Sequence, residues 1–139
     1  MTYAQLAARA RAARLRSHSP YSRFRVGAAL LTAGGRVYTG CNIEISTFAL
    51  TLCAERTALF KAVSEGERRF TAMAIATDEE GFTSPCGACR QVMMDLAGDI
   101  DVILTNRRKQ TRVHRLVELL PHPFGAGNLK RTRRRKARP

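Results

Sequence analysis

The sequence predicts one α/β domain of three layers, αβα, on three observations. Apolar strand-like runs alternate along the chain with segments of helical period. Two of the runs, FTAMAIAT at 70–77 and DVILT at 101–105, read as strands buried on both faces. A chain of 139 residues, 45% of them apolar, holds enough core for one domain without disulfide support.

Thr2 caps the first predicted helix, with Gln5 three positions on to complete a capping box. Tyr3, Leu6, Ala7, Ala10 and Ala13 fall on one arc of that helix, which should cover a core; Arg9 and Arg16 lie opposite, with Arg14 at the edge. SHSPYSRFR breaks the helix, because Ser19 precedes Pro20 and is pushed out of the helical region. VGAALLT and RVYTG are strands, joined by a hairpin turn at Ala33-Gly34-Gly35. Leu52 to about Ser64 is helical, with Gly66 as its stop. FTAMAIAT follows as a strand, and a loop around Gly81 leads through Pro85 into a helix from Gly87 to Leu96. DVILT, a polar turn NRRKQ, a short strand RVHRL and one helical turn VELL before Pro121 complete the series. No internal repeat and no second domain are visible.

The net charge of +13 divides unevenly. The final segment, LKRTRRRKARP, carries seven Lys/Arg and no acid; without it 17 basic residues face 11 acidic ones, a net +6. Residues 1–128 are therefore expected to form the folded domain and 129–139 a basic, disordered tail. A tail that only solubilises and a tail that holds nucleic-acid phosphates both fit this composition. No apolar run is long enough to span a membrane and no signal peptide opens the chain, so a cytoplasmic location is expected. The acid-free opening YAQLAARARAARLRS has the composition of a transit peptide, but a core-packing helix accounts for it. In a reducing compartment the four cysteines point to metal or catalysis rather than disulfides.

Cys53 stands at the head of one predicted helix, and Cys86 and Cys89 at the head of another. Helix N-termini stabilise thiolates through their partial positive charge and free N–H groups. If the two helices lie side by side with their heads at one sheet edge, three sulfurs converge. Three is the number of protein ligands in a catalytic zinc site, which keeps a position open for water; structural zinc is closed by four. Glu55, two residues from Cys53, can lean over the open position and move a proton between water and substrate. Zinc would lower the pKa of that water, less strongly with three thiolates donating charge. Arg56 and Arg90 are counterweights to this anionic cluster, or else ordinary surface cations. Cys41 is either a fourth thiolate ligand or, more simply, a buried strand residue. His18, His114 and His122 show no ligand spacing and read as surface or turn residues.

C-x-E followed by P-C-x-x-C matches the signature of zinc-dependent nucleobase deaminases. From about residue 15 to 129 the chain closely resembles the small homotetrameric cytidine deaminases, through SPYSRFRVGAAL, GCNIE, CAERTALFKAVSEG, PCGACRQ and ELLPHPFG. The resemblance implies a cytidine-deaminase-like fold, a five-stranded mixed sheet flanked by helices. It implies one zinc per chain on Cys53, Cys86 and Cys89, with Glu55 as proton shuttle while a zinc-held hydroxide attacks C4 of the pyrimidine. The implied reaction is hydrolysis of free cytidine and deoxycytidine to the uridines and ammonia, in pyrimidine salvage. Phe24 is then the aromatic beside the ring, and Asn42 and Glu44 grip the ribose 3′-hydroxyl. The Ala54 backbone reads the base edge, the Ser84 carbonyl receives the departing amine, and Arg56 hydrogen-bonds ligand sulfurs. Phe124 reaches a neighbouring subunit's pocket, so that active sites are shared across a homotetramer. The implied partner is a small nucleoside; nucleic acid enters only through the tail, and no membrane is involved.

Two positions depart from the family pattern. Ile45 and Phe48 stand where Asn and Tyr are common, which removes a hydroxyl near the sugar or the subunit interface. Other readings stay open at this point: a cytosine-bearing antibiotic of the blasticidin type as substrate, nucleic-acid editing, or a zinc-stabilised nucleic-acid-binding module with Cys41 as fourth ligand.

Overall fold

The computed structural model describes residues 1–129. The predicted basic segment at 129–139 therefore lies, apart from Leu129, outside the described residues. Strands β1 (Val26–Thr32), β2 (Val37–Cys41), β3 (Phe70–Thr77), β4 (Asp101–Thr105) and β5 (Thr111–Arg115) form one sheet in the order β2-β1-β3-β4-β5. β3 and β4 are parallel, and the other neighbours are antiparallel. The parallel pair needs a long crossover, which α3 (Gly87–Ala97) supplies. This is the predicted five-stranded mixed sheet.

Side-chain alternation on the central strands decides what lies on each face. Ala72, Ala74 and Ala76 of β3, with Ile103 of β4, meet Leu6, Ala7 and Ala10 of α1 (Tyr3–Arg14). Met73 and Ile75, with Val102 and Leu104, face the other way. They pack with Ala58 and Leu59 of α2 (Ala54–Ser64) and Met93 of α3. The result is the expected αβα layering, with α1 alone on one face and α2 beside α3 on the other.

Small residues set the approach distances. A Cβ on Gly27 would lie 2.1 Å from the Ala10 carbonyl oxygen, and one on Gly40 would lie 2.5 Å from the Ala58 nitrogen. Neither helix backbone can yield without leaving its strand. Gly27→Ala and Gly40→Ala are each expected to cost about 1–3 kcal/mol through overpacking. Gly34→Ala, whose nearest neighbour would be 3.9 Å away, should be close to neutral in the same denaturant titrations.

The capping box at Thr2 and Gln5 is present, and Gly66 ends α2 with φ +99°. Several boundaries differ from expectation. α2 begins at Ala54 rather than Leu52, because Leu52 exchanges backbone hydrogen bonds with Ile43 in an isolated bridge. β2 runs one residue later than RVYTG and takes in Cys41; β5 runs one residue earlier than RVHRL. α4 (Leu116–Leu119) supplies the predicted turn before Pro121. Tyr3, placed on the core arc by periodicity, has an exposed ring whose hydroxyl donates to Asp101. It lies in the first turn, where the helix reaches the end of the layer. His18 and His122 are a loop and a turn residue as expected, whereas His114 lies in β5 and faces Glu118.

Candidate active site

Three chain features meet at the carboxyl end of β3: the head of α2, the head of α3 and the segment following β2. Cys53 is the N-cap residue of α2 and Cys86 that of α3, both in extended backbone; Cys89 is the third residue of α3. Residues 78–85 carry the chain from β3 to α3. Asn106, buried at 1% exposure, donates to the Glu80 carbonyl at 2.7 Å and so braces this loop from the β4–β5 turn. Arg90 completes the brace, donating to the Pro85 carbonyl and the Ser84 hydroxyl at 2.7 Å each and to the Leu119 carbonyl at 2.8 Å. It is therefore a loop clamp and not the counter-charge to the sulfurs that its sequence position suggested.

The three sulfurs of Cys53, Cys86 and Cys89 lie within 4.8 Å of one another, and Cys53 and Cys86 are 3.9 Å apart. Tetrahedral zinc with Zn–S of about 2.3 Å has S···S edges of about 3.8 Å, so this donor set fits zinc with little adjustment. Among the described residues this is the one group of metal-ligating side chains, and Cys41 is not in it. The Cys41 thiol instead donates to the Arg16 carbonyl at 3.3 Å and is partly exposed rather than buried, because β2 is an edge strand. A four-thiolate site is thereby excluded for these residues.

Arg56 Nη2 donates to the Cys53 sulfur at 3.2 Å. In the metal-free protein, hydrogen bonds from the Cys89 thiol and from Arg56 hold Cys53 down at about 5, against the opposing effect of burial. Cys89, wholly buried and sharing its proton with Cys53, is raised. Arg56→Gln removes one cause of the Cys53 depression. The titration midpoint of its thiolate absorbance in metal-free protein should therefore move upward from about 5, shrinking the pH range in which a ready thiolate awaits metal.

Glu55 is 4% exposed, and burial raises its carboxyl above the usual range. Together with Cys53, Ala54, Ser84 and Cys86, it lines a cavity of about 330 Å³ whose other wall contains Phe24, Asn42 and Glu44. The structure thus brings ten of the eleven predicted site residues to one place: nine of them by position on this cavity or its sulfur cluster, and Arg56 through the sulfur it touches. Phe124 is the exception, 60% exposed, with its carbonyl accepting from Gln91 Nε2 at 2.8 Å.

The second wall is built by polar bonds that sequence patterns do not announce. Asn42 Oδ1 accepts from Val26 N at 2.9 Å and from the Ser17 hydroxyl, while Nδ2 donates to the Phe24 carbonyl at 2.7 Å. Glu44 Oε1 accepts from the Tyr21 and Ser22 N–H groups, and these bonds, working against desolvation, hold the carboxyl below its ordinary range. Sequence reasoning missed Ser17 and the floor residues Val26, Ile75, Thr77 and Thr83. For Val26 and Ile75 the only signal was an ordinary strand pattern.

Residues 2–105 match the family described as the cytidine and deoxycytidylate deaminase zinc-binding region. The chain belongs to that deaminase family. It is 48% identical over 130 residues to a cytidine deaminase of Sporosarcina psychrophila, covering 93% of this chain and 96% of that one. It is 49% identical over 118 residues to a cytidine deaminase of Halalkalibacterium halodurans, covering 84% and 89%. A crystal structure of cytidine deaminase from Burkholderia pseudomallei superposes with a TM-score of 0.87 at 46% identity, over 89% of this deaminase and all of that chain. The family is a zinc-binding one, which agrees with the donor set described above. No helix of the described deaminase residues is long and apolar enough to cross a membrane.

Proposed function

We infer that this deaminase hydrolyses free cytidine and deoxycytidine to uridine and deoxyuridine with release of ammonia, and serves pyrimidine salvage in the cytoplasm. The observation that carries the reading is a buried carboxyl, Glu55, on the same cavity wall as a three-sulfur zinc donor set.

Cys53, Cys86 and Cys89 would hold the zinc, which when bound would lower the pKa of the attacking water. Glu55 takes a proton from the attacking water and delivers it to N3 of the ring as the oxygen joins C4. Glu55 then takes the proton of the new C4 hydroxyl and passes it to the exocyclic nitrogen, so that the C4–N bond breaks, ammonia leaves and the oxygen remains as the C4 carbonyl. In the metal-free protein burial raises the affinity of Glu55 for protons, the direction a proton carrier needs. The Ser84 carbonyl accepts from the departing amine, and the Ala54 backbone meets the base edge. Phe24 packs beside the ring. Asn42, fixed by three hydrogen bonds, and Glu44, held by the Tyr21 and Ser22 N–H groups, receive the ribose 3′-hydroxyl. Arg56 donates to the Cys53 sulfur and helps keep it anionic.

The assembly proposed is a homotetramer in which Phe124 enters a neighbour's cavity. Exposed apolar side chains support it: Phe48 and Leu50 are each 66% exposed and Phe124 60%. Phe48 packs edge-on against Tyr21, with ring centroids 5.5 Å apart, and offers no hydroxyl. Residues 1–128 form the catalytic unit in this reading, and the basic segment that follows is its only route to nucleic acid.

Loss of cytidine absorbance, followed with and without a zinc chelator, tests the activity. Turnover of cytidine and deoxycytidine that stops on chelation and returns with zinc is the expected result. Side-by-side ammonia release from blasticidin S should be slight; release from that compound alone would reassign the substrate.

A further inference from the structure

Four arginines lie between residues 9 and 16, and two of them are committed to the sheet. Arg11 Nη1 donates to the Thr105 hydroxyl at 2.9 Å, and Arg14 Nη1 meets Asp78 Oδ1 at 3.0 Å. Arg9 and Arg16 have no carboxylate partner among the described residues. Both line a cavity of about 400 Å³ where α1 and α2 flank the free edge of β2, and Lys61 of α2 lines it with them. The Lys61 ammonium donates to the Thr39 carbonyl, which pins it at the cavity and leaves two of its three N–H groups to give. No residue lining this cavity is acidic, and none is shared with the cavity that holds Glu55.

We propose that this second cavity is a binding site for the phosphate group of a small anionic metabolite, of the nucleotide or polyphosphate class. Three cations around one concavity, without a counter-charge in the wall, concentrate positive potential where low-dielectric walls focus it. Guanidinium and ammonium groups are the side chains that grip phosphate most strongly. The Thr39–Cys41 backbone edge adds polar surface, while the small side chains of Ala12 and Ala13 leave room. At about 400 Å³ the space has room for a phosphate with a further group attached. Cations that only complement the carboxyl ends of α1 and α2 would need no shared concavity.

Isothermal titration of the zinc-loaded full chain with inorganic phosphate and with pyrophosphate, at constant ionic strength and without magnesium, tests the site. The parent protein should bind both, pyrophosphate more tightly, and Arg9→Gln with Lys61→Met should weaken binding about tenfold or more, since two charge-assisted contacts are lost. Arg69→Gln with Lys109→Met, which removes the same charge from exposed positions elsewhere, should bind like the parent. All four positions are exposed, so the folds should survive, and zinc content with cytidine turnover checks this. No binding by the parent, equal binding by all three proteins, or equal loss in both variants overturns the proposal.

Discussion

Glu55→Gln is expected to lower cytidine turnover by about 10²–10⁴-fold or more, the range for loss of a general acid–base group, while zinc content stays at the parent level. The amide is nearly the same shape, so the buried position remains filled, but it can carry out neither of the proton transfers proposed for Glu55. Glu55 is not among the sulfur donors, so the metal should stay. The KM for cytidine should change far less than kcat, because the Phe24, Asn42 and Glu44 wall is intact. Steady-state kinetics with parallel metal analysis checks all three statements. Normal turnover in this variant would remove Glu55 from the chemistry.

Cys86→Ala is expected to abolish stable zinc binding and, with it, turnover. A three-sulfur site reduced to two has lost a third of its donors and one of its two helix-head N-caps. Cys86 is the exposed member of the group, so its loss should leave the core undisturbed and the protein folded. Cys89→Ala should lose metal as well, but with an added stability cost, because Cys89 is fully buried against Met93 and its neighbours. Metal content after dialysis, together with melting temperatures of the metal-free proteins, separates the two effects. Retention of one zinc per chain by Cys86→Ala would disprove the ligand set.

Much of this arrangement was legible from residue order because it depends on local periodicity. The continuous apolar run FTAMAIAT, buried on both faces, and the capping box at Thr2 are properties of a few consecutive residues, and each reappears in the fold. The sulfur cluster was legible for a related reason: helix heads can be located from sequence, and two heads at one sheet edge bring their first-turn residues together. What escaped depends on distant chain. Arg90 looks like a neighbour of Cys89, yet its guanidinium turns to carbonyls at positions 85 and 119. Cys41 reads as a buried strand residue, and only the strand order places it on an exposed edge. Asn42 owes its orientation to Ser17, Phe24 and Val26, which share no pattern with it. Leu52 carries helical composition, but its bridge to Ile43 holds it extended and so fixes Cys53 as the cap.

The proposed chemistry needs a zinc ion held by three thiolates with one position left for water under Glu55. X-ray absorption at the zinc edge of the loaded enzyme counts those ligands directly. Three sulfurs at about 2.3 Å and one lighter atom at about 2.0–2.2 Å are expected. Four sulfurs, or fewer than three, would contradict it.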